Sequence, residues 1–509
     1  MKKPIVLLFL LSFLFYSCSN EPKAPSPNII LFFVDDLGWQ DTSVPFWNKK
    51  TKWNDLYHTP NMERLAAQGM KFTQAYATPV CSPSRISLMT GMNAARHRVT
   101  NWTLHKDQLQ PMETNHKSLT FPHWNINGLT PDSTLQHAVY ATTFPSLMQK
   151  AGYHTVHVGK AHLGAIGTPA ENPINIGFDI NIAGHAAGAP KSYWGKENFG
   201  NLEKFKNSPW PVPGLEKYHG KDIFLTEALT LEAIDAINQP VEKNQPFFLY
   251  MSLYGVHTPI MADDRFVEKY YQMGLDSTEA KYASMVENMD KSLGDLMDYL
   301  EQKNIDDNTI ILFMSDNGGL SAVARGDEKH THNSPLSSGK GSIHEGGIRE
   351  PMIVKWPTVT TPNSINSNYL IIEDFFPTIL EMAKIDDYET VQKIDGRSFI
   401  SQLKDPKQLE QDRPLFWHYP NEWGPTGPGI GAFSAVRKGD WKLIYYHQNE
   451  NFELFNIAVD IGEAKNLAAT QSKKLKELAE DLTSFLKKVN AQMPSHQSTE
   501  KQVAWPNEK

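Results

Sequence analysis

Four stretches of the chain share one pattern, in which a continuous apolar run ends at a polar cluster. The first run covers residues 29–34 and is followed by Asp35 and Asp36. Three further runs lie in HTVHVGKAHLG, QPFFLYMSLYGVHTP and NTIILFMSDNGG, and they lead to Lys160, to His257 and to Asp316-Asn317. Such runs are typical of strands that are buried on both faces of a parallel sheet. The pattern therefore predicts four interior strands, each with polar side chains just beyond its carboxyl end.

Helical patterns separate these predicted strands. Residues 224–237 and 279–302 have apolar positions that recur every three and four residues, as on a helix with one buried face. Strands that alternate with helices indicate an α/β fold. Because ligands bind beyond the carboxyl ends of the strands in open α/β sheets, we expect the four polar clusters to converge on one site.

From about Gln411 the pattern changes to short strands and one closing helix. FSAVRKGDWKLIYYH and ENFELFNI predict antiparallel strands, the first two joined by a Lys-Gly-Asp turn. KKLKELAEDLTSFLKKV predicts an amphipathic helix. We therefore expect a main domain at 28–405 and a C-terminal α+β subdomain at 406–509, which consists of an antiparallel sheet and a helix.

The N-terminus has the features of a targeting segment. Lys2 and Lys3 precede the apolar run IVLLFLLSFLFY, which is short for a membrane span and suits the core of a signal peptide. The following SCSN and the linker EPKAPSPN resemble a bacterial lipoprotein signal that is cut before a lipid-bearing cysteine. We predict a signal peptide at 1–17, lipidation of Cys18 and a lipid-anchored linker at 18–27. The exported protein would then be anchored to a bacterial membrane and face the periplasm or the cell surface. The alternative is an ordinary signal peptide with an incidental cysteine.

Composition limits the classes of function. The 509 residues are 40% hydrophobic, enough for a large core, and the formal net charge is -8. A surface of net negative charge repels a phosphate backbone, so we do not expect nucleic-acid binding. The chain has two cysteines. If Cys18 carries lipid, Cys81 has no disulfide partner, which is unusual in an exported protein.

Two of the polar clusters together suggest a metal site. Asp35, Asp36, Asp316 and Asn317 would place three carboxylates and an amide oxygen side by side, which is repulsive unless a hard divalent cation lies between them. Taken alone, Asp-Asp-Leu-Gly can be a helix cap and Asp-Asn-Gly-Gly can be a turn. Because both follow a predicted buried strand, we favour a calcium or magnesium site.

The remaining polar positions are donors or cations. A single lysine or histidine is usually solvated or satisfied by one hydrogen bond. Five such groups beside a metal would instead bind an oxyanion. They are Arg85, Lys160, His162, His257 and Lys340.

Cys81 lies in the segment PVCSPSRISLMTG. Pro83 suits a first helical turn and Gly91 suits a helix stop, which places Cys81 at a helix N-terminus, where backbone N–H groups can bind an anion. The simplest chemistry for this position is a thiolate nucleophile. A thiolate is a poor partner for a hard cation such as calcium, so the metal hypothesis and the thiolate hypothesis conflict.

CSPSR at 81–85 resembles the Cys-x-Pro-x-Arg signature of the formylglycine-dependent (type I) sulfatases, in which the cysteine is oxidised to an aldehyde that hydrates to a geminal diol. VDDLGW, GKAHLG, MSDNGG, GKGSIHEGGIREP, DFFPTIL and SAVRKGDWKL are similar to further blocks of that family, in the same order. The resemblance covers the chain from about Asn28 to the closing helix and makes 28–405 the sulfatase catalytic domain. It implies an alkaline-phosphatase-like α/β sandwich, with a mostly parallel sheet between helices and a small C-terminal antiparallel sheet. Within that family, the chain resembles a polysaccharide-active bacterial lipoprotein member.

The resemblance also implies a metal and a modified residue. A maturation enzyme would convert Cys81 to formylglycine, which would complete the shell of one calcium ion per chain. The other calcium ligands would be Asp35, Asp36, Asp316 and Asn317.

Further roles follow from the same resemblance. Arg85 would hold the diol, while Lys160 and Lys340 would bind sulfate oxygens. One diol hydroxyl would attack sulfur, and His257 with Lys340 would protonate the leaving sugar oxygen. His162 would then take a proton from the second hydroxyl and expel sulfate. The implied substrate is a sulfated carbohydrate, either an algal polysaccharide such as ulvan or a galactan, or a glycosaminoglycan.

Two other functions stay open from the sequence. A phosphonate or phosphate monoester hydrolase can share the fold and the formylglycine, and a non-catalytic glycan-binding protein can keep the fold alone.

A long insert at 97–136 forms either a sugar-stacking wall of the substrate pocket or only a loop, and Trp423 would reach the same pocket. The insert contains Trp102, His105, His123 and Trp124.

Overall fold

The computed structural model describes residues 26–109, 113, 116–320, 333–408, 410, 412–424 and 426–509. The predicted signal peptide, Cys18 and most of the predicted linker lie outside these residues, so those features stay predictions. Among the helices that the structure describes, none combines the length and the apolar character that a membrane-crossing segment needs.

The described residues form sixteen strands, most of them short. In chain order they are β1 (Asn28–Val34), β2 (Met70–Tyr76), β3 (Leu119–Thr120), β4 (Leu129–Thr130), β5 (Val139–Tyr140), β6 (His154–Gly159), β7 (Ile180–Ile182), β8 (Phe247–Ser252), β9 (Thr309–Ser315), β10 (Arg349–Lys355), β11 (Ser364–Ile371), β12 (Leu415–Tyr419), β13 (Phe433–Lys438), β14 (Trp441–Tyr446), β15 (Asn451–Asn456) and β16 (Ser495–His496).

Helices cover both faces of the central sheet and close the C-terminal part. The α-helices of the described residues are α1 (Lys52–Leu56), α2 (Pro60–Gln68), α3 (Cys81–Thr90), α4 (Ala94–His97), α5 (Phe144–Lys150), α6 (Leu225–Glu242), α7 (Val267–Gln272), α8 (Ser277–Gln302), α9 (Glu345–Ile348), α10 (Phe375–Met382), α11 (Ile400–Lys404) and α12 (Ser472–Lys488). Short 3-10 helices lie at Pro169–Glu171, Pro173–Ile176, Gly195–Gly200, Glu203–Phe205, Glu216–Tyr218, Asp306–Asn308, Ile372–Asp374 and Pro506–Glu508.

The central sheet has eight strands in the order β11-β2-β10-β9-β1-β8-β6-β7. Only β10 among them runs antiparallel to its neighbours, β9 and β2. The four strands predicted from continuous apolar runs are β1, β6, β8 and β9, and they stand next to one another in the middle of this sheet. The α/β prediction is therefore confirmed, and the sheet is mostly parallel as expected.

Alternating side chains of β1 explain why its apolar run is continuous. Ile29, Leu31 and Phe33 belong to the core on one face of the sheet. Ile30 and Phe32 belong to the core on the other face. Because helices cover both faces, every position of this strand is buried, and no polar residue interrupts it.

The predicted helices are found with small differences in length. The helix predicted at 224–237 is α6, which continues to Glu242, and the helix predicted at 279–302 is α8, which begins at Ser277. Asp276 caps α8, since its side chain accepts hydrogen bonds from the backbone N–H groups of Thr278 and Glu279. The predicted helix stop at Gly91 is also confirmed, because Gly91 follows α3 with φ 66°.

The C-terminal part contains a four-stranded antiparallel sheet in the order β12-β13-β14-β15. The predicted turn joins β13 to β14, and α12 packs on the sheet through Leu478, Leu482 and Leu486. The strand β12 was not predicted from the sequence. The indole Nε1 of Trp417, on β12, donates a 2.8 Å hydrogen bond to the carbonyl of Ala77 and joins this sheet to the main core.

A fully buried ion cluster forms a second connection between the two sheets. Lys442, on β14, lies with its Nζ 3.0 Å from Glu345 Oε1 and 2.9 Å from Glu463 Oε1. Glu345 begins α9, and its Oε2 accepts a 2.6 Å hydrogen bond from the hydroxyl of Tyr76 at the end of β2. The C-terminal sheet is thus bound to the same edge of the central sheet on which the site described below is built.

Removal of Lys442 should destabilise the protein strongly. Lys442→Ala leaves the buried Glu463 without its closest cation and leaves Glu345 with Arg349, whose Nη1 is 3.2 Å from Oε2. We expect a loss of about 3–5 kcal/mol of unfolding free energy. Lys206→Ala is the matched control, because the Lys206–Glu203 pair is exposed and should contribute about 0–1 kcal/mol. Chemical denaturation of both variants measures the difference, and equal losses would contradict the assignment.

Candidate active site

The four predicted polar clusters meet at the carboxyl edge of the central sheet. Asp35, Lys160 and Asp316 follow β1, β6 and β9 directly, and His257 lies five residues beyond β8. Their side chains come into contact, since Lys160 Nζ is 2.5 Å from Asp35 Oδ2 and His257 Nε2 is 3.7 Å from Asp36 Oδ2. The predicted convergence on one site is confirmed, because the four strands are neighbours in the sheet.

A cavity of about 310 Å³ opens above this edge. Four predicted site residues line it, namely Cys81, His162, His257 and Lys340. The rest of the wall is mostly apolar and is formed by Val80, Trp102, Gly188, Ala189, Trp210 and Trp423. Arg85 and Lys160 are fully buried and lie behind the described wall residues.

Unpartnered oxygen atoms collect beside two of the lining residues, Cys81 and His257. Ligand atoms of Asp35, Asp36, Cys81 and His257 all lie within 4.8 Å of one another. The amide nitrogen of Asn317 donates a 2.8 Å hydrogen bond to Asp36 Oδ1. Within the described part of the chain, no hydrogen bond reaches Asp35 Oδ1, Asp36 Oδ2 or Asn317 Oδ1, although all three are buried. Buried oxygens without donors are the ligands that a hard divalent cation requires, so this donor set fits such a cation.

Buried cations balance the carboxylates. Lys340 Nζ lies 2.7 Å from Asp36 Oδ1, and Arg85 Nη2 lies 2.7 Å from Asp316 Oδ2. Burial, and then repulsion from Asp316, raises the pKa of Asp35 well above its usual range. Burial also acts to raise the pKa of Asp36, but Lys340 and His257 outweigh it and hold that pKa well below its usual range. Neighbouring cations therefore hold Asp36 in its ionised form, whereas Asp35 needs a further positive charge beside it to stay ionised.

Arg85 connects three of the central strands. Its Nε donates a 2.9 Å hydrogen bond to Asp316 Oδ2, beyond β9. Its Nη1 donates to the hydroxyl of Ser252 on β8 at 2.6 Å and to the carbonyl of Lys160, beyond β6, at 3.2 Å. Arg85 thus holds Asp316 in place from behind. Its expected contact with a diol at position 81 stays a prediction.

His162 presents an unprotonated ring nitrogen. The 2.8 Å contact between Nε2 and the carbonyl of Thr103 requires Nε2–H as the donor. Nδ1 then has a free lone pair, and the described residues provide no partner for it. Burial, and then the charges of Lys160 and Arg85, lowers the pKa of His162 well below its usual range. This imidazole is neutral and can accept a proton at Nδ1.

His257 has the opposite orientation. Its Nδ1 donates to the carbonyl of Thr258 at 2.8 Å, which leaves Nε2 on the side of Asp36. Burial, and then the charge of Lys340, lowers the pKa of His257 to about 3. Nε2 is therefore the ring atom that can exchange a proton with a group bound in the cavity.

Backbone strain occurs at two of these positions. Asp36 has φ 60° and His162 has φ 54°, although neither is glycine. Such left-handed conformations cost of order 1 kcal/mol or more each and persist where the surrounding structure fixes them. They place both residues at the point where the chain leaves a central strand.

Cys81 is the first residue of α3, as predicted from Pro83 and Gly91. Burial raises the pKa of its thiol, and the nearby charges of Lys160 and Lys340 offset this effect only in part. An unmodified Cys81 is therefore a buried thiol. This finding speaks against the thiolate hypothesis, because a cysteine nucleophile needs a lowered pKa.

Comparison with known proteins decides the family. The Sulfatase family profile matches residues 27–385, and a profile described as N-sulphoglucosamine sulphohydrolase, C-terminal, matches residues 339–492. The chain belongs to the sulfatase family. As a sulfatase it is a sulfuric ester hydrolase, and its fold is the alkaline-phosphatase-like fold expected from the sequence.

Individual relatives resemble this sulfatase along almost the whole chain. A sulfatase of Formosa agariphila is 30% identical, over 92% of this chain and 89% of its own. The human N-acetylgalactosamine-6-sulfatase is 28% identical, over 90% of this chain and 78% of its own. Ps i-CgsB, solved in complex with k-i-k-neocarrahexaose, has a TM-score of 0.71 at 27% identity, covering 94% of each chain.

Only some of the predicted aromatic residues of the insert lie at the cavity. Trp102 lines the cavity, and Trp423 reaches it from the C-terminal part, as hypothesised. Trp124 is instead buried in the main core, and His123 lines a different cavity. His105 is exposed and does not line the catalytic cavity.

Sequence reasoning missed four residues of the sulfatase site. Trp210 lines the cavity from a loop, Thr103 fixes the ring of His162, and Ser252 holds Arg85. Burial, and then repulsion from Asp316 and Asp36, raises the pKa of Glu350 well above its usual range. None of the four belongs to a periodic pattern. A proline-flanked tryptophan in a loop, as in SPWPVPG, was the one available signal.

Proposed function

We propose that the protein hydrolyses sulfate esters of a sulfated polysaccharide or of its oligosaccharides, with a formylglycine made from Cys81 as the nucleophile and calcium as the cofactor. One observation carries this proposal: Cys81 lines a cavity with a cationic lysine and two neutral histidines, and its sulfur lies within 4.8 Å of carboxylate oxygens of Asp35 and Asp36. Relatives named for N-acetylgalactosamine 6-sulfate, and one bound to a neocarrahexaose, support a carbohydrate substrate.

The donor set supports calcium only if position 81 carries oxygen. Calcium prefers oxygen ligands, and the sulfur of Cys81 lies within the group of ligand atoms. Formylglycine replaces that sulfur by oxygen and so removes the mismatch. The ion would be held by Asp35, Asp36, Asp316 and Asn317, where it supplies positive charge that acidifies a hydroxyl and stabilises the charge on sulfate oxygens.

Calcium should stabilise the fold through these residues. At about one hundred times the dissociation constant, a ligand that binds only the folded state adds about 2.7 kcal/mol of stability. We expect calcium to raise the melting temperature of the metal-free wild type and to have a much smaller effect on Asp35→Asn. Asp298→Asn, an exposed position, is the control and should respond like the wild type. A calcium response that persists in Asp35→Asn would contradict the assignment.

Lys340 is the cation placed to bind a sulfate oxygen. It lines the cavity and keeps its contact with Asp36, while the buried Asp36 carboxylate raises the pKa of Lys340 above its usual range despite the opposing effect of burial. Lys160 lies behind the wall on Asp35, so its predicted contact with sulfate stays a prediction.

The two histidines divide the proton transfers. An anionic sulfate group beside His257 favours protonation of its Nε2, which can then give a proton to the leaving sugar oxygen. His162 is held neutral with its Nδ1 lone pair free. It can therefore take the proton of the second diol hydroxyl, and loss of this proton expels sulfate. The two carbonyls of Thr258 and Thr103 fix these opposite orientations.

His257→Ala should impair poor leaving groups more than good ones. A sugar alkoxide needs a proton to leave, whereas nitrophenolate hardly does, and general acid catalysis contributes about 10²–10⁴-fold. We expect a loss of about 100-fold or more in kcat on a sulfated sugar and a small loss on 4-nitrophenyl sulfate. His123→Ala, outside the cavity, should lose neither activity. Equal losses on both substrates in His257→Ala would remove His257 from the acid role.

Release of sulfate tests the function directly. Enzyme made in a host with a formylglycine-generating system is incubated with a panel of sulfated oligosaccharides, and free sulfate is measured by ion chromatography. We expect release by the wild type, an aldehyde at position 81 in the peptide mass spectrum, and a folded Cys81→Ala variant without turnover. An active preparation that contains only unmodified Cys81 would overturn the nucleophile. Greater activity on an aryl phosphate than on an aryl sulfate would favour a monoester hydrolase, and binding without release would favour a glycan-binding protein.

The site of action is a further part of this proposal. We place the mature protein on a bacterial membrane through lipid on Cys18, facing the periplasm or the cell surface, on the basis of the N-terminal sequence. Membrane fractionation of wild type and Cys18→Ala tests it, since only the wild type should then sediment with membranes.

A further inference from the structure

Three tryptophans surround the catalytic cavity, and they come from three distant segments. Trp102 belongs to the insert, Trp210 to the loop between β7 and α6, and Trp423 to the segment between β12 and β13. All three are only partly buried, so their rings present apolar surface to whatever enters. The cavity is therefore lined both by Lys340, the proposed sulfate-binding cation, and by three indole rings.

A buried network joins the segments that carry two of these tryptophans. Asn101 Oδ1 accepts hydrogen bonds from the backbone N–H of Trp102 at 2.9 Å and from the hydroxyl of Tyr419 at 2.9 Å. Asn421, two residues before Trp423, donates through Nδ2 to Glu113 Oε1 at 2.7 Å. Asn101 Nδ2 donates to the same oxygen at 3.2 Å. One carboxylate thus joins the segments that carry Trp102 and Trp423.

Glycines let the rings come close to the catalytic groups. A Cβ atom on Gly341, which follows Lys340, would lie 2.0 Å from Cε3 of Trp423. A Cβ atom on Gly188 would lie 2.4 Å from the ring of His162. The indole of Trp423 therefore lies directly on the backbone beside the sulfate-binding lysine.

Trp210 forms its part of the wall through a backbone contact. Its carbonyl accepts a 2.8 Å hydrogen bond from the N–H of Lys191, and the wall residues Gly188 and Ala189 lie just before Lys191. This loop is therefore tied to the strip of chain that packs on His162. The segment that contains Gly188 and Lys191 therefore contacts both Trp210 and His162.

We propose that Trp102, Trp210 and Trp423 bind the ring of the sugar that carries the scissile sulfate, with Trp423 as the principal stacking surface. The C–H faces of a pyranose are apolar and pack well on an indole, while its hydroxyl groups can remain at the edges. The favoured substrate is then a sulfated pyranose that presents a free C–H face, and Asn101 and Asn421 are positioning residues. This inference rests on the proposed sulfatase function.

Kinetics of Trp423→Ala separate ring binding from sulfate binding. The probes are the sulfated sugar that the wild type cleaves fastest in the release panel, and inorganic sulfate as a competitive inhibitor. Loss of one stacking surface should raise KM for the sugar by about tenfold. The inhibition constant of inorganic sulfate should stay within about twofold of the wild type, because sulfate alone does not reach the rings. Trp423→Phe should recover most of the affinity, and Asn421→Ala should raise KM in the same direction.

Controls make the outcomes distinct. Trp47→Ala removes a partly buried tryptophan outside the cavity and should change neither constant. A parallel rise of KM and of the sulfate inhibition constant in Trp423→Ala would show that the ring only supports Lys340, and it would overturn the stacking proposal. Unchanged KM in each of Trp102→Ala, Trp210→Ala and Trp423→Ala would overturn it as well. Absence of sulfate release by the wild type would instead refute the proposed function on which it rests.

Discussion

The structure depends on charge buried at the carboxyl edge of the central sheet. Three aspartates and an asparagine are placed there by strands β1 and β9, out of contact with water. Like charges in a medium of low dielectric repel strongly unless cations are held beside them. Arg85, Lys160 and Lys340 provide equal opposite charge and are themselves buried. Without a metal the group is close to neutral, and a divalent cation would leave it positive and attractive to a sulfate ester.

This arrangement explains how a protein with a formal net charge of -8 can bind an anionic substrate. The positive charge is local and lies under the cavity, where screening by salt is weak. The formal net charge sums over the whole chain and does not describe the charge at the cavity. A negative net charge is therefore compatible with a cationic site.

The C-terminal part completes the site rather than forming a separate module. Trp417 hydrogen-bonds to the main core, and Lys442 neutralises Glu345 at the start of α9. Trp423 covers the backbone beside Lys340. The boundary predicted at 405/406 follows a change of sequence pattern, whereas the contacts of these residues cross it. Changes on the C-terminal sheet should therefore affect the segment that carries Lys340.

The sequence by itself determined the four central strands, the helices α3, α6 and α8, and the polar residues that end each strand. Those features are local, because burial on both faces and helical periodicity leave a pattern in consecutive residues. Tertiary structure alone decided that Arg85 holds Asp316, that Thr103 orients His162, and that β10 runs antiparallel. It also decided that Trp210, and not Trp124, faces the cavity. These contacts join residues far apart in the chain, so neither partner carries a local sign of the other.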